Sequence, residues 1–339
     1  MSQEGPTDFL EINRGVPQGS SLSPLLFNIY IRNLPRSITS ESIEFADDVT
    51  VSEQDRSIEV VKERLVNSFK DLKQFCQNRD LVINGSKIQF IVMKAPGKKL
   101  LLEDSMLTLD KDSLIPLHSV KLLGFTIDRH FTFSDHINST VQKCKGLLGI
   151  LRRVAQSLPR QLLLLMYTAL IRTHLEYASA VFIGASETHL KKLEIVQKMA
   201  SRVICGAPRD AHAAPLLEEL GLDSLVDRRN KHVSDLVLAC VKKASHPALC
   251  ELFADISEDD PTGGQTSYRP RTTIGSKAFS VRGRQIYSTI RTQTDQLRRG
   301  PESGPVNRDQ ARNMLKDTDL QSSHYSSTIT PQLPMDTSS

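Results

Sequence analysis

The spacing of apolar residues changes near position 130, and the change separates two kinds of structure. Before it, short apolar runs alternate with turn-forming residues. Ile43-Glu44-Phe45-Ala46 and Val49-Thr50-Val51 are strand-like runs separated only by Asp47-Asp48, which predicts a tight hairpin. Ser52 followed by Asp55 resembles a capping box at the start of a helix. Ile58, Val61, Leu65, Phe69, Leu72 and Cys76 then recur at helical spacing and mark its buried face. Asn84-Gly85 predicts a turn, residues 88–93 a strand, and Pro96-Gly97 a break. Further short strands are expected over 107–109, 114–117 and 120–127.

From Ser134 the pattern becomes helical. Ile137, Val141, Leu148, Leu151 and Ala155 hold one face until Pro159, which suits the first position of a second helix reaching about Tyr177. A third is expected from Glu187, behind the cap Ser186, to Cys205, with Gly206 as terminator. More helix follows at about 213–220 and 224–245. Past Glu258-Asp259-Asp260-Pro261 the composition shifts to Gly, Ser, Thr and Arg. From Gly300 it reads as a disordered polar tail. No internal repeat is visible.

With 339 residues, 39% hydrophobic and 24% charged, the chain reads as globular and large enough to bury its own core, with a prior of about two domains. It holds no tryptophan, so the core is built from Leu, Ile, Val and Phe. Five scattered cysteines without a CxxC spacing argue against a disulfide framework or a zinc knuckle and for buried thiols in a reducing compartment. The N-terminus has no basic start followed by an apolar core, and the greasiest stretch, 162–185, is interrupted by Arg172, His174 and Glu176. The expectation is a soluble intracellular protein of nucleus or cytoplasm, neither secreted nor in a membrane.

The net charge of +4 is too mild to diagnose a partner, but it is unevenly spread. Residues 131–205 hold ten basic against four acidic residues, net +6, whereas 1–130 sum to −2. A basic helical segment suits contact with a phosphate backbone, and an ordinary solvated helix surface fits the charge equally well.

Two blocks carry chemistry. Asp47 and Asp48 put adjacent carboxylates at a hairpin tip, where their repulsion is relieved by a hard divalent cation that takes carboxylate and phosphate oxygens. Alone, such a pair is more often solvated surface. Upstream, Gly15-Val16-Pro17-Gln18-Gly19-Ser20 opens a loop that runs into Pro24 and the apolar stretch Leu25-Leu26-Phe27. A small-residue loop delivering a helix N-terminus is a bed for a nucleotide or nucleic-acid backbone, or a plain loop-to-helix entry.

Together, GVPQGSSLSPLLFNIYI at 15–31 and FADD at 45–48 resemble the reverse transcriptases of non-LTR (LINE-type) retrotransposons. The resemblance continues in order. LVINGSKI at 81–88 is similar to the next palm block, with Lys87, and VKLLGFTID at 120–128 to the primer-grip block. Leu151-Arg152-Arg153, His174-Leu175-Glu176-Tyr177 and Gly206-Ala207-Pro208-Arg209 resemble the thumb and connecting region. Tyr268-Arg269-Pro270-Arg271 and Phe279-Ser280-Val281-Arg282-Gly283 resemble the end of such reading frames.

The resemblance implies an α+β fold: a partial polymerase palm of antiparallel sheet with helices over 1–130, an all-helical thumb and connection over 131–256, and a tail over 257–339, largely disordered from about 300. It also implies roles. Asp47 and Asp48 would be catalytic and would hold two Mg²⁺ ions. Pro17, Gln18, Gly19, Ser20 and Lys87 would bind deoxynucleoside triphosphate and template, and Leu123 and Gly124 the primer. The partners would be an RNA template, a DNA primer and their hybrid. The family carries a further aspartate on a strand well upstream of the GVPQGS block, whereas fourteen residues precede Gly15, with Asp8 in another place. The expectation is therefore a truncated RNA-directed DNA polymerase, inactive alone. The alternatives are a non-catalytic nucleic-acid-binding remnant or a relic without function.

Overall fold

Pairing of Glu41 with Ser52 and of Phe45 with Asp48 closes residues 41–52 into an antiparallel hairpin, β1 (Glu41–Phe45) and β2 (Asp48–Ser52). The structure is a computed structural model that describes residues 15–17, 19–93, 105–110, 112–254 and 283–290. The chain divides into two units, Met1–Phe131 and Thr132–Ser339.

In the first unit, α1 (Ser23–Ile31) and the single turn α2 (Leu34–Ser37) precede the hairpin, and α3 (Ile58–Gln77) follows it. The core under the hairpin is small: Leu34, Ile38 and Phe75 are buried, with Val49, Val51 and Leu72 packed against them. The entry to β1 is pinned to α3 by polar bonds. The Ser40 backbone N–H donates to Ser68 Oγ at 3.2 Å, the two hydroxyls bond each other, and Thr39 Oγ1 donates to Asp71 at 2.7 Å. Ser68 is a buried polar residue on the helix face expected to be apolar, and this bond accounts for it.

Helix α3 starts at Ile58, later than the Ser52 start expected. Ser52 is the last residue of β2, and Asp55 Oδ1 instead accepts from the Ser57 N–H at 3.0 Å, turning the chain into the helix. Hairpins β3 (Leu107–Leu109) with β4 (Asp112–Leu114), and β5 (Ser119–Leu122) with β6 (Phe125–Asp128), complete the unit. The segment 120–127, expected as one strand, is thus a two-stranded turn. Of 114–117, only Leu114 is strand.

Residues 88–93 form no strand. Phe90 O accepts from the Leu117 N–H at 2.8 Å, and Gln89 Oε1 takes the Lys121 N–H at 3.0 Å where a backbone carbonyl would continue a ladder. The α+β class holds, with three separate two-stranded sheets among the described residues in place of one palm sheet. The Pro96-Gly97 break lies outside the described residues.

The described residues of the second unit are helical: α4 (Ser134–Val154), α5 (Arg160–Met166), a π turn (Tyr167–Arg172), α6 (Thr173–Glu176), α7 (Glu187–Ile204), α8 (Ala213–Glu219), α9 (Leu225–Val241), α10 (Pro247–Glu251) and α11 (283–290). Ile137, Val141, Cys144, Leu148 and Leu151 form one buried stripe on α4, which packs against α7. Burying each large aliphatic side chain here contributes about 1.5–3 kcal/mol.

Capping sets the helix starts: Ser186 Oγ accepts from His189 N–H, and Ser224 Oγ from Asp227 N–H. Pro159 is the residue before α5, one position earlier than expected. Gly206, with φ +64°, ends α7 as a left-handed terminator.

The π turn has a sequence cause. Leu163, Tyr167, Ile171 and Leu175 are buried at a strict four-residue interval. On an α-helix that interval drifts about 40° per step. The wider i→i+5 winding takes up the drift and keeps the four side chains in one line. No sequence expectation covered α11, which falls in the segment read as tail. Its Tyr287 is buried with Val237, Cys240 and Phe253. The rest of that segment lies outside the described residues. All five cysteines carry free thiols. No described helix is long and apolar enough to cross a membrane.

Candidate functional site

The hairpin register decides what the acidic tip presents. Because Phe45 pairs with Asp48, the two-residue turn is Ala46-Asp47, not Asp47-Asp48, and Asp48 belongs to β2. Ala46 takes φ +54°, a left-handed value that glycine or asparagine adopts with less strain. Strand alternation then sends Val49 and Val51, with their partners Glu44 and Ser42, toward the Leu34–Phe75 core.

The opposite face carries Ile43, Phe45, Asp48 and Thr50. Ile43 is 72% exposed and Phe45 63%, so the apolar residues of β1 face outward while Glu44 turns inward. Glu44 has a buried Oε1 without a hydrogen-bond partner among the described residues, and burial raises its carboxyl above the usual carboxylate range. It faces away from Asp48 and does not join the acidic pair.

Asp47 and Asp48 are both exposed, and among the described residues neither makes a hydrogen bond or ion pair with the 15–20 loop or with Lys87. Two adjacent carboxylates suit a hard divalent cation by donor chemistry. Among the described residues no group of three or more His, Cys, Asp or Glu is placed to hold one. The set therefore fits a cation only in part.

The loop before α1 is held by its own serines and glycines. Ser23 Oγ donates to Pro17 O at 2.6 Å, and Ser20 Oγ accepts from Leu22 N–H at 3.3 Å. Gly15 and Gly19 have φ near +90°, and a Cβ at either would meet nothing within 4 Å, so conformation rather than crowding calls for glycine. Pro17, Gly19 and Ser20 are exposed. Gln18 lies outside the described residues.

Lys87 ends a short 3₁₀ turn (Gly85–Lys87), capped where Asn84 Oδ1 accepts from Ser86 N–H, and its side chain is exposed. The segment after it meets β5 through the Gln89–Lys121 bond and the residues just before β5 through the Phe90–Leu117 bond. Leu123 and Gly124 are the two central residues of the β5–β6 turn, with φ +49° and +81°. Two positive φ values match the twist of a two-residue hairpin, which asparagine-glycine ordinarily fills. An exposed leucine there is strained and buries little. The structure thus brings the Lys87 segment beside the Leu123–Gly124 hairpin, and fixes the acidic hairpin on α3.

On the helical unit, Arg160 pairs with Glu219, Lys191 with Glu187, Lys192 donates to Asn138 and Arg202 to Ala211 O. Those four cations serve the chain itself. Lys145 and Arg152, seven residues apart on α4, share one exposed face.

Residues 2–127 match the family described as reverse transcriptase (RNA-dependent DNA polymerase). The chain is 25% identical over 236 residues to a probable RNA-directed DNA polymerase from the transposon X-element of Drosophila melanogaster, covering 65% of this chain and 25% of that protein. It is 27% identical over 236 residues to the RNA-directed DNA polymerase from the mobile element jockey of Drosophila melanogaster, covering 64% and 24%. Against the jockey polymerase of Drosophila funebris it is 26% identical over 217 residues, covering 58% and 22%. The chain spans about a quarter of the length of these curated relatives. No solved structure matches. These similarities are to reverse transcriptases and to RNA-directed DNA polymerases of mobile elements.

Proposed function

We propose that this chain is the palm-and-thumb portion of a non-LTR retrotransposon reverse transcriptase and that it binds an RNA–DNA hybrid. The observation that carries the reading is the Asp47–Asp48 hairpin, held on α3 with its Phe45–Asp48 face open, in a segment that matches reverse transcriptases. Asp47 and Asp48 would hold divalent cations, Mg²⁺ in this reading. When bound, such ions supply charge stabilisation for attack by the primer 3′-hydroxyl and departure of pyrophosphate.

The other residues have positioning roles. Phe45 and Ile43 offer an apolar face for the primer end. The 15–20 loop, with Pro17, Gln18, Gly19 and Ser20, sets the incoming deoxynucleoside triphosphate and template. The Lys87 ammonium neutralises phosphate charge, and the Leu123–Gly124 turn supports the primer strand. Lys145 and Arg152 contact hybrid phosphates, which makes binding fall as salt rises.

The two carboxylates are a partial ligand set. For that reason the 339-residue chain alone binds hybrid without extending a primer, which is also the behaviour of a non-catalytic nucleic-acid-binding protein. The test is a fluorescence titration of a primer–template hybrid against salt, run beside primer extension on RNA with Mg²⁺. Salt-dependent binding lost in Lys145→Glu/Arg152→Glu is the expected result, and absence of such binding rejects the reading. Robust extension that disappears in Asp47→Asn/Asp48→Asn would keep the polymerase and reject inactivity of the chain alone.

A further inference from the structure

Between α4 and the run from the end of α5 into the π turn lies a shallow, open apolar groove lined by Leu147, Ile150, Leu151, Met166, Leu170 and Ile171. Its lip is also apolar. Ile150 is 45% exposed and Leu170 48%, and on the same helical run Leu162 and Leu165 are 45% and 60% exposed. The cause is the four-residue repeat described above: the π winding keeps Leu163, Tyr167, Ile171 and Leu175 inward, which leaves the leucines between them facing solvent. π turns of this kind are frequent at functional sites.

The segment that forms the two walls carries one sign of charge. From His136 to Leu175, which covers both walls, there is no Asp or Glu, whereas Lys143, Lys145, Arg152, Arg153, Arg160 and Arg172 are all present. Arg160 is taken by Glu219. Lys143 lies four residues before Leu147 and seven before Ile150, on the groove side of α4, and Arg153 lies one turn beyond Ile150. Burial and then the neighbouring Lys143 charge hold the His174 imidazole below its usual range.

We propose that this groove seats an acidic amphipathic helix of a partner protein, its apolar face on Ile150, Met166 and Leu170 and its carboxylates against Lys143 and Arg153. A helix laid in an apolar groove is a common recognition mode. A second copy of this chain would bring the same cations against themselves, which charge repulsion opposes. A nucleic-acid backbone would find no donor on the apolar floor, where an unpaired phosphate is costly to bury. None of the groove residues belongs to the proposed polymerase site.

The test is fluorescence anisotropy of the full chain with a labelled synthetic helix carrying Leu at i, i+4, i+7 and i+11 and Glu elsewhere, beside a scrambled peptide of the same composition. Saturable binding is expected, about tenfold or more weaker for the scrambled peptide and for Ile150→Asp or Leu170→Asp. Lys143→Glu/Arg153→Glu, both exposed and remote from the core, weakens binding about fivefold or more and flattens its salt dependence. Circular dichroism confirms that each variant is folded. Equal affinity for both peptides, or no loss in any variant, overturns the proposal. So does a self-dimer in sedimentation velocity that Ile150→Asp abolishes, or displacement of the peptide by RNA–DNA hybrid at this face.

Discussion

Tyr30 and Arg79 hold each other by both ends. The Tyr30 hydroxyl donates to Arg79 O at 2.5 Å, and Arg79 Nε donates back to Tyr30 O at 3.3 Å, with the guanidinium lying over the Phe75 ring at 3.9 Å. The pair ties the last turn of α1 to the end of α3, and with α1 comes the 15–20 loop. Tyr30→Phe is expected to cost about 0.5–1.5 kcal/mol in urea unfolding. It should also speed amide exchange in residues 19–31 more than in α3. Uniform exchange changes would contradict a local tie.

The β5–β6 turn stores strain at Leu123. Replacing it with Asn or Gly, both tolerant of positive φ, should stabilise the unit by about 1 kcal/mol. Gly124→Ala, at φ +81°, should destabilise it by about 1 kcal/mol or more. Urea midpoints read both. If Leu123→Asn also weakens hybrid binding, the strain serves the primer.

Glu176 and Arg228 form a two-pronged ion pair joining α6 to α9, with one contact at 3.0 Å and side chains 17% and 25% exposed. Arg228→Met leaves Glu176 half-buried without its hydrogen-bonded partner, and the expected loss is about 3 kcal/mol. Glu176→Gln/Arg228→Met should recover part of it, a coupling that a double-mutant cycle measures. Simple additivity would remove the pair from the account of stability.

Burial pushes the Cys144 thiol up to about 11. Its folded value lies above the unfolded one, so its contribution to stability is full at neutral pH and fades as pH rises from about 8.5 through 11. Thiol-reactive dye at pH 8 should therefore label Cys144 only at the rate of unfolding. The half-buried Cys205 and Cys250 should react first. Mass mapping of labelled peptides checks the order.

Legibility in the sequence followed the directness of the physical code. The α4 stripe from Ile137 to Leu151 was plain, because many residues repeat one spacing that only a helix can use. The hairpin that carries the two acids was plain as well, since two adjacent acids flanked by strand formers leave few arrangements, but its turn sits one residue earlier than expected, at Ala46-Asp47. The register was not. Apolar residues stand on both faces of the hairpin, and packing of Val49 and Val51 on Phe75 and Leu72 and the Ser40–Ser68 bond, contacts made by residues far along the chain, decide which face turns inward. The strand expected over 88–93 failed for a similar reason, since β5 already pairs with β6 and leaves it only Leu117 N–H and a glutamine side chain. The π turn was visible as a strict four-residue interval, but a helical reading absorbs that interval without remark. Nothing in 283–290 announces α11, whose seat on Phe253 and Val237 exists only after α9 and α10 have packed.

The alternation along β2 makes the orientation of Asp48 a property of its neighbours. Val49 and Val51 are lodged among Leu34, Ile38 and Phe75, and a strand cannot turn one residue inward without turning the next one out. A slip of one position would exchange a submerged valine for a submerged carboxylate, at a desolvation cost that this small core could not offset. The greasy side of the hairpin thus works as a keel: it keeps the acid upright, so that substitutions at Val49 or Phe75, neither of which faces a substrate, would tilt the chemistry before they unfolded the protein.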